Sequence, residues 1–146
     1  TRRQRQMCIR HRFHLDKRWE TFPLKVRDNL KRKITSLSYD NKIVVTSNIG
    51  CNNFYNFIKK KLLNSSNIEF YDEPTLNSII SLVYFSETCI SSHSGLIVHT
   101  AAAFNKKIID IVHDEIFNEL DRWVPFDTNY KRYNVQNFLD ESFKFA

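Results

Sequence analysis

The sequence predicts an α/β domain, a Rossmann-like parallel sheet flanked by helices, and three observations carry that reading. From Asp16 onward helical and extended stretches alternate, with no internal repeat and no low-complexity linker between them. The runs KIVVTS at 42–47 and KIIDIV at 107–112 are short, β-branched and bounded by polar residues, the pattern of strands buried on both faces of a parallel sheet. Both glycines, Gly50 and Gly95, fall between an expected strand and the helix that follows it. At 146 residues the chain is long enough for one core and one domain.

Each element has its own signal. Across residues 18–37, Trp19, Phe22, Val26, Leu30 and Ile34 recur at spacings of three and four, a helical stripe with Asp16 available as its cap. Pro23 marks where the regular helix begins, because proline lacks the N–H that a helix interior needs. After the strand at 42–47, Gly50 and Asn52 close the turn and open a helix through residue 63, with Phe54, Phe57, Ile58 and Leu62 apolar. A strand at 68–71 and a helix at 75–86 come next. TCISS at 88–92 then reads as a strand, HSG as a turn, and LIVHTAAAF at 96–104 as a helix whose alanines permit close packing on a sheet. Beyond the strand at 107–112 come a weaker helix at 116–120, an aromatic-rich loop and a closing helix at 135–145. The first strong element is thus a helix, whereas a doubly wound domain opens with its central strand. The expectation is that RFHL at 12–15 is the stump of that strand or that the strand is lost upstream. A domain truncated at its front would expose two sheet edges to aggregation.

Composition narrows the partners. Of the +6 net charge, five charges come from Arg2, Arg3, Arg5, Arg10 and Arg12, in a stretch of twelve residues that holds no acid; the remaining chain carries +1. Residues 1–12 therefore read as a basic leader, either a disordered arm or a scar from a translated adapter, set apart from a domain at 13–146. The run Lys59, Lys60, Lys61 has no interleaved aromatic residues on its face and reads as the wet side of a helix, so nucleic acid is not an expected partner. No run approaches eighteen apolar residues, and the arginine-rich start does not fit a secretory signal. Cys8, Cys51 and Cys89 form neither a CxxC nor a Cys/His cluster, so no disulfide framework and no zinc site is implied, and a reducing cytoplasm fits best.

The residues that carry chemistry surround Gly95. At the carboxyl end of a parallel strand the next helix offers unpaired N–H groups and the positive end of its dipole, and glycine lets an anion approach the backbone. Ser91, Ser92, His93 and Ser94 add three hydroxyls and an imidazole, for which a diphosphate is the natural ligand; the same Ser-Gly chemistry also serves as an ordinary cap and turn. His99 lies a turn into the helix, able to face a ligand or pack on the sheet. Lys17 and Arg18 stand at a helix start, where a cation is unfavourable by itself and an anionic partner offsets the cost. Asp110 is a carboxylate inside an apolar strand, placed either at the strand's functional end or bonded to a neighbouring helix as structure. Trp123, Tyr130 and Tyr133 read mainly as packing for the closing segment.

The segment HSGLIVHTAAAFNKKIIDI resembles the pattern of glycosyltransferase family 9, the heptosyltransferase-like enzymes. There a strand ends in Asp-Ser-Gly, a His and small residues follow on the helix, and a lysine- or proline-marked strand comes next. Lys17-Arg18-Trp19 resembles that family's Lys-Arg-Trp segment at the head of the first helix of the C-terminal domain, and Trp123-Val124-Pro125 resembles its Trp-x-Pro segment, so three motifs fall in order across residues 16–125. His93 stands where the family has aspartate, and Gly95 to His99 is one residue longer than the usual spacing. The resemblance implies the C-terminal, nucleotide-binding half of a two-domain GT-B glycosyltransferase. It implies a nucleotide-diphosphate-sugar donor as substrate, no cofactor and no tightly bound metal, with transfer to a glycan or lipid-linked acceptor of the lipopolysaccharide type. Lys17, Arg18, Ser92, His93, Ser94, Gly95 and His99 would hold the diphosphate, and helix N-termini and basic side chains would stabilise the leaving group. The general base would lie in an N-terminal partner domain, so this chain alone would not turn over, and the whole enzyme would associate peripherally with a membrane. A non-catalytic nucleotide-binding or regulatory α/β module shares the Gly95 site and is the alternative.

Overall fold

In a computed structural model of the protein, which describes residues 9–50, 52–118 and 129–145, six parallel strands form one sheet. They are β1 (Ile9–Leu15), β2 (Ile43–Ser47), β3 (Ile68–Tyr71), β4 (Ser86–Ser91), β5 (Lys107–Val112) and β6 (Tyr130–Asn134), in the spatial order β3-β2-β1-β4-β5-β6. Helices α1 (Leu24–Ser38), α2 (Asn53–Leu62) and α5 (Val135–Leu139) cover one face, with Leu30, Ile34, Tyr55, Ile58 and Phe138 buried among Phe13 and Leu15. Helices α3 (Leu76–Tyr84) and α4 (Gly95–Ala103) cover the other, where Val83, Ile97 and Ala101 pack on Cys89 and Ile108. The fold is a three-layer, doubly wound Rossmann-like domain.

The central strand is present: RFHL at 12–15 is part of it, as one of the two expectations had it, and the strand runs back to Ile9, which corrects the alternative of a lost strand with two bare edges. β1 pairs with β2 on one side and β4 on the other, His11 lying opposite both Ile43 and Thr88. The boundary expected at residue 12 falls inside this strand, and Arg12 itself is completely buried. Its basic composition hid a period of two: Ile9, His11, Phe13 and Leu15 alternate with Arg10, Arg12 and His14.

Other differences are local. The helical stripe from residue 18 divides at Pro23, where the regular helix was expected to begin: a 3-10 turn (Lys17–Thr21) capped by Asp16 comes first, and α1 starts at Leu24. The loop expected after β5 contains the edge strand β6, whose sequence YKRYN lacks the β-branched residues that mark the buried strands. The closing helix ends at Leu139 rather than at residue 145. Phe145 instead tucks edge-on against Phe13 at 5.2 Å. Of the weak helix expected at 116–120, the described part is a 3-10 turn (Asp114–Ile116); Trp123, Val124 and Pro125 lie outside the described residues.

A buried polar row runs under α3 and α4. Arg12 Nη2 donates to Thr46 Oγ1 at 3.0 Å, and the same hydroxyl lies 2.9 Å from His14 Nδ1. Burial, reinforced by Arg12 and Arg18, pushes the His14 pKa down to about 3, and burial likewise lowers His11 to about 4. Burial also lowers Arg12 to about 10, and its Nε and Nη1 have no hydrogen-bond partner.

Two outcomes follow for stability. Arg12 is a buried cation with one bond, and replacing such a group with an apolar side chain of similar length removes more desolvation cost than attraction. Arg12→Met is expected to raise the urea midpoint, a stabilisation of about 1–3 kcal/mol; a lowered midpoint contradicts it. For the histidines, the folded pKa lies below the unfolded one, so their contribution is fully present above about pH 6.5 and is lost as pH falls toward 3–4. Stability measured by urea titration is expected to decline from pH 7 to pH 4, and less steeply in His14→Leu.

Candidate functional site at the β1/β4 switch point

In the observed strand order the chain reverses direction across the sheet between β1 and β4, and a crevice opens outside the carboxyl ends of those two strands. β1 delivers Asp16 and the 3-10 turn to one side of it; β4 delivers the turn at 92–94 and the start of α4 to the other. Arg18 spans the gap: its Nη1 donates to the carbonyl oxygen of His93 at 2.7 Å, while Asp16 Oδ1 accepts from the Arg18 amide at 3.0 Å. The Asp16 carboxyl is raised above the usual range by burial, with Arg18 opposing the shift. Trp19 anchors this arm from below, fully buried and donating through Nε1 to the carbonyl of His14 at 3.0 Å.

The two glycine turns are not equivalent. At the β2–α2 junction Gly50 adopts a left-handed φ of 89°, and its amide donates to the Glu73 carboxylate. The first amide of α2, Asn53, donates to Glu20 Oε1 at 2.5 Å, and Asn52 caps Tyr55. Carboxylates thus already occupy that anion position. At the β4–α4 junction Ser94 takes the cap position with extended backbone, but its hydroxyl makes no capping bond, unlike Asn52, Thr75 and Asn134 at α2, α3 and α5. Among the described residues no side chain bonds the amides of the α4 first turn, which leaves them to an external acceptor. Gly95 leaves the approach open: a Cβ built there meets nothing within 4 Å.

The structure brings Arg18, Ser92, His93, Ser94 and Gly95 together at this crevice. Ser92 and Ser94 are buried in the turn, whereas Gly95 and Arg18 are exposed. Lys17 is exposed at the head of the 3-10 turn beside Arg18, and His99 is exposed on α4 with no hydrogen bond to the turn among the described residues. Tyr133 packs edge-on against Phe143 at 4.8 Å. Cys89 is buried, its thiol pushed up to about 11 by burial, which leaves it an inert small residue.

Asp110 sits at the functional end of β5, fully buried. Its Oδ1 accepts from Ser91 Oγ at 3.0 Å and from the His93 amide at 2.6 Å; its Oδ2 accepts from Tyr130 OH at 2.7 Å and lies 3.1 Å from His93 Nδ1. Burial first, then Asp110, holds the Tyr130 phenol protonated well above its ordinary range. Sequence reasoning left Asp110 between two roles and took Tyr130 for packing. The signal was the lone carboxylate in KIIDIV, and its partners become visible only once β6 is placed beside β5. A groove of about 500 Å³ between α1 and the closing segment, lined by Asn29, Lys33 and Phe143 among others, lies on another part of the surface and shares no residue with the crevice. Among the described residues no helix is long and apolar enough to cross a membrane, and no group of three metal-ligating side chains forms.

No protein-family model matches the chain, and no curated protein matches it. Solved structures do. The chain is similar to the Escherichia coli heptosyltransferase WaaC solved with ADP, with a TM-score of 0.55 at 15% identity over 86% of this chain and 37% of that one. It is similar also to Staphylococcus aureus MnaA solved with UDP, with a TM-score of 0.58 at 18% identity over 75% of this chain and 30% of that one. The chain therefore spans about a third of the length of each. The likeness is one of fold, a Rossmann-like domain that matches part of GT-B proteins.

Proposed function

We propose that this chain is the nucleotide-binding half of a GT-B glycosyltransferase and that its β1/β4 crevice holds the diphosphate of a nucleotide-sugar donor. The observation that carries the reading is the Arg18 bridge to the His93 carbonyl, which brings a guanidinium to the amino end of a helix whose first amides no side chain caps. A diphosphate supplies the acceptor oxygens and the charge that this arrangement lacks. The likeness to structures solved with ADP and with UDP supports the same ligand class. In transfer, the bond from the sugar's anomeric carbon to the diphosphate breaks, and negative charge grows on the departing phosphate. Orphan amides at 94–96, Arg18 and Lys17 oppose that charge without rearranging. The acceptor, a glycan or lipid-linked sugar of the lipopolysaccharide type, and the base that deprotonates its hydroxyl belong to a partner domain, and the setting is cytoplasmic. Alone, the chain binds donor without turning over.

The test is thermal-shift binding of ADP, UDP, GDP and CMP. One diphosphate at a hundredfold excess over its Kd is expected to stabilise the fold by about 2.7 kcal/mol, roughly 5–10 °C. Gly95→Val fills open space instead of protein and is expected to abolish the shift without lowering the unliganded Tm. Arg18→Ala removes an exposed side chain, so Tm is expected to stay nearly constant while affinity falls about tenfold. A folded protein that no nucleotide stabilises contradicts the reading; stabilisation that survives both substitutions moves the site elsewhere.

A further inference from the structure

The β4–α4 turn holds a conformation that its sequence does not favour. His93 has φ 51°, in the left-handed region that is strained for an L-residue with a side chain and that glycine enters freely. Such a turn persists only where its surroundings hold it. The hold comes from the neighbouring strand. Ser91, Asp110 and Arg132 form one row across β4, β5 and β6, and from the middle of that row the Asp110 carboxylate reaches the turn with both oxygens. One accepts the His93 backbone amide at 2.6 Å; the other lies 3.1 Å from the imidazole Nδ1. An ionised carboxylate only accepts, so the ring carries a proton on Nδ1, and Nε2, the ring atom left to a ligand, donates to a diphosphate oxygen when it is protonated as well. Tyr130 completes the clamp: its hydroxyl donates to the carboxylate at 2.7 Å and accepts from Arg132 Nε at 3.2 Å. On the outer side of the same residue, the His93 carbonyl takes the Arg18 guanidinium. Asp110 itself is wholly buried behind the turn.

We propose that Asp110 is the positioning residue of the nucleotide site: from β5 it fixes the left-handed turn and the imidazole of His93, and thereby sets where a diphosphate meets the ring, the α4 amides and Arg18. This rests on the diphosphate reading of the crevice, and it makes β6, through Tyr130 and Arg132, part of the support for that site.

A double-mutant cycle tests it on the full chain, with ADP and UDP titrated calorimetrically into wild type, Asp110→Asn, His93→Gly and the double variant. In the wild-type background Asp110→Asn is expected to weaken binding about tenfold. In the His93→Gly background, where glycine takes the turn unaided and no ring needs orienting, the same change is expected to cost less than twofold. Equal losses in both backgrounds overturn the positioning role and leave Asp110 as packing. Should Asp110→Asn fail to fold, Tyr130→Phe enters the same cycle; it removes one donor to Oδ2, and a smaller loss that again vanishes with His93→Gly is expected. If wild type binds neither diphosphate, the reading of the crevice fails on its own. The positioning role is then judged from the ring by long-range ¹H–¹⁵N correlation: a His93 ring protonated on Nδ1 in wild type, and redistributed in Asp110→Asn, supports it, and a wild-type ring protonated on Nε2 alone overturns it.

Discussion

Everything in this domain depends on β1 pairing on both edges at once. Ile9–Leu15 is the strand from which the sheet grows outward in two directions, through β2 and β3 on one side and β4, β5 and β6 on the other. Parallel strands cannot be joined by a tight turn, so the chain crosses a face of the sheet between them, through α1, α2, α3 and α4 for the first five strands. Two series of crossovers starting from one strand put helices on both faces and leave the ends of β1 and β4 without a connection running over them. The crevice is a consequence of that pairing, and the residues that follow β1 and β4 in sequence are the ones that line it.

Packing and site are coupled through a few side chains. Trp19 is buried beneath the 3-10 turn and bonded to the carbonyl of His14, so the segment that carries Lys17 and Arg18 is tied to the end of β1. Opposite it, the turn at 92–94 is tied to β5 through Asp110. Arg18 and His93 then meet across the gap with each side held by its own strand. This is the rigidity that recognition of a small anion requires, because the orphan amides of α4 and the guanidinium must converge without reordering when the ligand arrives.

Much of this was legible in the sequence wherever one physical signal dominated. β2 and β5 announced themselves as apolar, β-branched runs, and the turn at Gly95 as a strand-to-helix junction rich in hydroxyls. At β1 only the stump at 12–15 was legible: the arginines up to Arg12 made the residues before it look like a basic leader, although Ile9, Phe13 and Leu15 alternate as a half-apolar strand does. A buried arginine in a central strand defies the composition rule, and only its neighbours Thr46 and Cys89 show where it sits. β6 was illegible because an edge strand has one partner and needs fewer apolar residues. Asp110 could be singled out by type but not by role, since its partners lie in three separate elements that only tertiary structure assembles. His99 shows the converse: the likeness to a family pattern marked it, and the helix leaves it exposed and unbonded to the turn.

The account is tested most directly by an amide ¹H–¹⁵N titration of the chain with ADP and with UDP. It predicts saturable shifts confined to the amides of residues 16–19 and 92–97, at the ends of β1 and β4, with the His93 and Gly95 signals moving most. Shifts that map instead to the groove between α1 and the closing segment, or no saturable shift from either nucleotide, would contradict it.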